Sequence, residues 1–243
     1  MTPPANRQPD AAAADRPLWF DPLAVDEDRR RTLTRERVVA EALTLIAATG
    51  GDGLSMRALA GRLGVVPAAL YRHVRDKNQL QDLVLDGVLA EIDYRIDRPA
   101  GWTEQVTILA QRLRAVLESH PGIASLLKTR DPVGPHSLAL AEAFLAPLHT
   151  AALPARQAAL AYSLIYDYTL GFALSSPNSL TELRSRDVTI AGALHGFLRS
   201  LPADRFPMLT ILGDHTWVDS RDERYTASLT AILDGLEAAH RPL

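Results

Sequence analysis

The chain has 243 residues, 47% of them hydrophobic and none of them cysteine, which supplies one or two substantial cores and rules out a disulfide framework, a zinc knuckle and a thiol nucleophile. No leader-like segment opens it and no stretch approaches the roughly 18 apolar residues of a membrane span, so a cytoplasmic protein without membrane contact is expected. The net charge of -3 hides a segregation: residues 1–28 hold 2 basic side chains against 6 acidic, residues 29–77 hold 10 against 4, and residues 78–243 hold 14 against 19. One basic block between two acidic ones is the pattern of a molecule that meets phosphate with one face only.

Residues 1–17 mix proline, alanine and polar residues with no apolar period and read as a flexible arm, which the segmentation extends to residue 31. Leu18, Trp19 and Phe20 interrupt it, and three large apolar side chains in a polar arm are expected to dock on the folded body. Arg29, Arg30 and Arg31 end the arm and suit insertion into a minor groove; a solvated charge run is the plain alternative.

From Thr34 the period is helical, with Val38, Ala42, Leu45, Ile46 and Thr49 on one side and Gly50-Gly51 as the stop. Ser55 caps a second, short helix with Leu59, Ala60 and Leu63 inward, and Gly64 supplies the positive φ of a sharp exit. A third helix starts at Pro67 with Leu70 and Val74 as its buried face. Asp76 and Gln79 form a capping pair for a fourth helix running to about Tyr94, with Leu80, Leu83, Val84 and Val88 inward. Residues 96–101 read as a turn, and further helices are expected at 102–119, 121–128, 136–150, 154–175, 179–200 and 220–240, with 203–218 ambiguous.

The segment LSMRALAGRLGVVPAALYRHV, residues 54–74, reads helix, glycine-bearing turn, helix, the geometry that lays its second helix in a major groove. With Leu70 and Val74 inward, the opposite side presents Ala68, Ala69, Tyr71, Arg72 and Arg75. Arg72 suits guanine, the two alanines suit thymine methyls and close approach, Tyr71 suits a phosphate, and Arg57 and Lys77 flank the groove. His73 fits a phosphate contact, against the common structural role of a histidine beside a core valine.

These residues carry a resemblance. The runs T-x-E-x-x-V-x-x-A-L-x-L-I-A-x-x-G, L-S-M-R-A-L-A-x-x-L-G-V and A-L-Y-R-H-V-x-D-K-x-x-L make residues 34–94 similar to the TetR family of repressors. The resemblance implies an all-α fold with a three-helix, helix-turn-helix DNA-binding domain at 32–78 and a ligand-binding, dimerising helical bundle at 79–243. It also implies that Arg57, Pro67, Ala68, Ala69, Tyr71, Arg72, His73 and Lys77 lie at the DNA surface. The implied partners are double-stranded operator DNA, a second copy of the chain and a small-molecule effector, with no cofactor. The dimer is expected from helices 154–175 and 220–240, the latter through Tyr225, Leu229, Ile232, Leu233 and Leu236.

Candidate pocket residues are Trp102, Phe144, His149, Tyr162, Tyr166, Asp167, Tyr168, Phe172, His195 and Phe197, although most could be ordinary core. Residues 120–132 resemble the tetracycline repressors themselves. Where those proteins carry their drug-binding histidines this chain has Leu126 and, nearby, Asp93, which points away from a magnesium–tetracycline complex and towards a bulky apolar or aromatic effector. The rival classes are a helical enzyme, for which no converging acids, bases or phosphate loop are found, and an effector-independent or architectural DNA-binding protein, which the acidic C-terminal part opposes.

Overall fold

The computed structural model describes residues 33–96, 100–130, 133–175, 188–213 and 220–240; the arm, with Arg29, Arg30 and Arg31, lies outside them. Every regular element among them is helical. The order is α1 (Arg35–Thr49), a 3-10 turn (Gly51–Gly53), α2 (Met56–Leu63), α3 (Pro67–Leu70), α4 (Lys77–Leu89), α5 (Trp102–Ser119), α6 (Ile123–Leu127), α7 (Pro135–Thr150), α8 (Ala155–Leu174), α9 (Val188–Arg199), α10 (Pro207–Leu212) and α11 (Arg221–His240). Helices α1 to α3 form an N-terminal head, α5, α7, α8 and α11 form the body, and α4 packs against both.

Local chemistry sets the boundaries of the head. Thr34 Oγ1 accepts the N–H of Arg37 and Ser55 Oγ accepts that of Ala58, each satisfying one orphan donor at a helix start and contributing about 1 kcal/mol. Gly64 closes α2 at φ 68°, where an L side chain would be strained. Val38, Ala42, Leu45 and Ile46 are buried as the period requires, but Thr49 is exposed and turns its hydroxyl back to Leu45 O.

Helix α3 is shorter than its sequence suggests. It makes one α-turn to Leu70 and tightens into hydrogen-bonded turns, His73 N to Leu70 O and Val74 N to Leu70 O, while Leu70 and Val74 are buried as expected. Helix α4 ends at Leu89 rather than near Tyr94. Ile92 N–H bonds to Leu89 O at 3.2 Å and the Tyr94 hydroxyl donates to the same carbonyl at 2.7 Å, so a folded-back side chain satisfies what another helical turn would have. Helix α9 is described over Val188–Arg199, the earlier part of 179–200 lying outside the described residues, and α10 falls within the ambiguous stretch 203–218.

One contiguous buried cluster runs from Val38 in α1 to Leu233 in α11. The expected boundary after residue 78 falls in the first turn of α4, which contributes Leu80, Val84, Leu85, Val88 and Leu89 to that cluster.

The apolar stripe of α11 requires a correction. Tyr225, Leu229 and Leu233, expected to meet a second copy, are almost wholly buried inside the single chain and attach α11 to its own body, while Ile232 and Leu236 are half-buried. Tyr225 is the anchor. Its hydroxyl lies 3.0 Å from Thr169 Oγ1, its ring stacks on Tyr168 at 5.4 Å and meets Phe172 edge-on at 5.0 Å, and the Arg114 guanidinium sits 4.7 Å above it. Arg221 fastens the helix start by donating to Ser175 O and to Phe172 O, which also accepts the N–H of Ser175 at the end of α8, and by pairing with Glu118.

Burial pushes the Tyr225 phenol up from 10.0 to about 12, outweighing the hydrogen bond with Thr169. Its contribution to stability is therefore complete below the ordinary pKa of 10.0 and is lost as pH rises from there through about 12, because the unfolded phenol ionises first. In an absorbance titration of the native protein, one tyrosine should ionise near pH 12, and Tyr225→Phe should remove that step; an unchanged curve would refute the burial argument.

Candidate nucleic-acid interface and its link to the body

The sequence-selected residues of the head differ in exposure. Arg57, Pro67, Ala68, Tyr71 and Arg72 are exposed, and Ala69, His73 and Lys77 are half-buried beside them. Tyr71 is 53% exposed beside the fully buried Leu70, as neighbouring positions of a helical turn face different directions. Val66, 68% exposed at the start of α3, belongs to the same surface and was not selected from sequence; an apolar residue before a proline gives no polar signal to find it by.

Electrostatic and backbone ties hold this surface in place. Arg35 Nε donates to His73 O at 3.1 Å, joining the start of α1 to the end of the α3 turn, and Arg62 pairs with Glu41 between α2 and α1. Asp76 caps α4 by accepting from Gln79 N at 2.8 Å and also accepts from Arg75 Nε; the backbone bond chiefly, then Arg75, holds its carboxyl below the usual range. Gln79 Oε1 accepts from Arg75 N at 2.6 Å, one residue earlier than the expected capping pair with Asp76. Arg72 N–H bonds to Ala69 O within the turn, and the residue is exposed.

Helix α4 carries this arrangement into the body through ties that no sequence motif announced. Asp82 accepts from Arg130 Nη2 at 2.7 Å, and Asn78 accepts from the same guanidinium. Asp86 Oδ1 accepts the N–H groups of His136 and Ser137, so a carboxylate of α4 satisfies the first turn of α7. Glu91 meets His120 at 2.8 Å. A second route bypasses α4: Gly122, at φ 89°, lies so close to α1 that a Cβ there would sit 3.0 Å from both Ile46 Cγ2 and Ile46 O.

The candidate pocket residues separate into two groups. Phe144, Tyr162 and Tyr166 form a ring series with centroids 6.0 and 5.9 Å apart, Phe144 being fully buried and the tyrosines half-buried. Trp102 is half-buried at the start of α5. Phe172 and Tyr168 belong instead to the Tyr225 cluster, and Asp167 and His149 are exposed, so they do not converge with the first group. Phe197 is 59% exposed and His195 half-buried on α9. Leu126 is core. Among the described residues no group of three or more acids or histidines could hold a metal, and no helix is long and apolar enough to cross a membrane.

Comparison with known proteins accounts for both halves. Residues 38–83 match the family described as bacterial regulatory proteins, tetR family, and residues 97–240 match the tetracyclin repressor-like, C-terminal domain. An HTH-type transcriptional regulator of Saccharopolyspora erythraea is 34% identical over 157 residues, 63% of this chain and 65% of that protein. The HTH-type transcriptional repressor DrrR1 of Streptomyces coeruleorubidus is 29% identical over 225 residues, 90% of this chain and 83% of its own. The crystal structure of the Streptomyces coelicolor TetR family protein ActR in complex with actinorhodin superposes with a TM-score of 0.73 at 34% identity, covering 87% of this chain and 100% of that one. The same protein in complex with (S)-DNPA gives a TM-score of 0.71 at 35% identity, covering 85% and 98%.

The approach of Gly122 to Ile46 yields a test of the second route. Gly122→Ala should cost about 1–2 kcal/mol for the left-handed backbone alone, with the contact to Ile46 adding to it, and should lower the urea midpoint of unfolding. An unchanged midpoint would mean that head and body do not press together there.

Proposed function

The chain belongs to the tetR family of bacterial regulatory proteins, and on that premise we propose that it is a repressor which binds palindromic operator DNA as a homodimer and leaves it when a small molecule enters the C-terminal body. The observation that carries this reading is the exposed set Pro67, Ala68, Tyr71 and Arg72 on α3 and the turn that continues it, in a helix-turn-helix whose inner residues Leu70 and Val74 are buried. Arg72 reads a base edge, Tyr71 and the flanking Arg57 and Lys77 contact phosphates, and Pro67, Ala68 and Ala69 allow the backbone close to the groove. His73, half-buried with its carbonyl taken by Arg35, completes the phosphate side.

With Tyr225, Leu229 and Leu233 withdrawn into the protomer, the dimer face we assign is the outer side of α8 and α11. Leu160 is 53% exposed, Leu164 48% and Leu174 37% on α8, and Ala227, Ala231 and Gly235 recur at four-residue spacing on the exposed side of α11. Large apolar side chains beside a small-residue face suit close helix packing, and a two-fold pairing of the heads sets half-sites one duplex turn apart.

The effector we propose is bulky and apolar or aromatic, received by Tyr162, Tyr166 and Trp102. Support comes from ActR, a similar protein whose structures contain actinorhodin and (S)-DNPA, and from the absence of the drug-binding histidines at Leu126 and Asp93. An effector acts only through a difference in affinity between two arrangements of the molecule. The ties of Asp82 and Asp86 on α4 to Arg130 and to the start of α7 let a shift in the body change the angle of the head.

Binding of the protein to DNA flanking its own gene, compared with scrambled DNA over a salt series, tests the reading. Arg72→Ala should weaken the specific site by about 1–3 kcal/mol while leaving weak binding to scrambled DNA in place. Equal weak binding of the native protein to both DNAs would indicate an architectural protein instead. Arg130→Ala should leave the operator bound in the absence of effector and shift the concentration of an identified effector needed for release; an unshifted release curve would show that Arg130 takes no part in coupling.

A further inference from the structure

Helices α1 and α4 meet along an apolar groove that the chain described here leaves uncovered. Val39, Leu43, Leu83, Val84, Gly87 and Val88 line it, and its volume is about 350 Å3. Val39, Leu43 and Leu83 are only half-buried, and charges of both signs, Arg35, Glu36 and Glu91, stand on the rim. A half-exposed apolar trough between the first helix of the head and the helix leading into the body lacks an occupant for its surface.

We infer that the occupant is the chain's own N-terminal arm, with Leu18, Trp19 and Phe20 seated in the α1–α4 groove and bracing the two helices. The arm enters the fold at the groove itself. Leu33, its first described neighbour, already packs on the core, and Arg35 and Glu36 line the groove as α1 begins. The 17 residues from Leu18 to Arg35 can span on the order of 50 Å when extended, far more than the roughly 12 Å of helix between Arg35 and Leu43. Pro17 and Pro22 bracket the apolar trio, and a proline narrows the conformations open to itself and to the residue before it, which lowers the entropy lost on docking. Arg16 and Asp21 match a rim of mixed charge. Residues 1–28 carry an excess of four acidic side chains, so DNA phosphate repels this part of the arm while leaving it free to lie on the protein.

Docking has two consequences. It fixes the angle between α1 and α4, the same angle through which the body would reach the head, and it holds Arg29, Arg30 and Arg31 beside the head instead of letting them range freely. The arm is then a regulatory element of the fold as well as a source of positive charge.

The chain contains three tryptophans, Trp19, Trp102 and Trp217, so the full-length Trp102→Phe/Trp217→Phe protein reports on Trp19 alone. Its emission should be blue-shifted from that of a free indole and several-fold protected from acrylamide quenching, and adding Gly87→Phe should abolish both effects. Gly87 is exposed with nothing within 4 Å of a new Cβ and lies in a helix, so this substitution fills the groove without disturbing the core. Solvent-like emission before Gly87→Phe, or shielding that survives it, overturns the proposal. Because the native chain has no cysteine, a Phe20→Cys/Ala40→Cys pair gives an independent reading: a disulfide within one chain, faster than with Cys placed at the remote exposed Glu142, is expected. A disulfide found only between two chains would assign the groove to a second copy and overturn it, as would equal rates at the two positions. Shielding of Trp19 is measured without DNA or effector, so its failure is separate from failure of the operator reading.

Discussion

Helix α4 has to be apolar on two sides at once, and the rest of the molecule is arranged around that requirement. Leu83, Val84 and Val88 lie on the side shared with α1, while Leu85 and Leu89, more than a third of a turn further round, lie towards the side that carries Asp82 and Asp86 to α6 and α7. Four of these five are at most 1% exposed. A helix buried on both sides cannot rotate without opening one core or the other, and opening a well-packed contact costs several kcal/mol in the cavities left behind. Head and body are therefore joined by a shared element and not by a tether.

Polar groups make that joint directional. The buried leucines and valines would accept small slips along the helix, since apolar contact is not directional. Asp86 accepting two N–H groups at the start of α7, and Arg130 bridging Asp82 and Asn78, do not, because hydrogen bonds weaken steeply when bent or stretched. Gly122 against Ile46 adds a contact so close that even a Cβ would be tight there. Together they give the interface a defined register, which a molecule that transmits a change from one end to the other requires.

The far side of the body is organised by a different device. Tyr225 is enclosed by Tyr168, Phe172 and Arg114, with its hydroxyl against Thr169, so α11 is attached through its own apolar stripe and presents alanine and glycine outward. A stripe of leucines on a late helix reads the same whether it meets its own chain or another. Periodicity shows which side is apolar and not what covers it.

That distinction runs through the whole chain. The helix starts at Thr34, Ser55 and Asp76, the stops at Gly50 and Gly64 and the inward faces of α1 and α2 were legible because capping and φ > 0 are local properties that a few neighbouring residues decide. The outward position of Tyr71 and Arg72 followed from the same local logic once Leu70 and Val74 were placed inside. The early end of α4 at Leu89 was not legible, since it depends on Tyr94 folding back to a carbonyl that the pattern would have carried into another turn. The ties of Arg130 to Asp82 and of Asp86 to α7 join residues about 50 positions apart, and the inward turn of Tyr225 depends on Thr169, more than 50 positions earlier. The sequence by itself determined the helix starts of the head, its glycine stops and which residues around Leu70 turn outward, because those rest on contacts within a turn or two; only the tertiary structure decided which faces meet, because that rests on pairings between distant segments that no local pattern encodes.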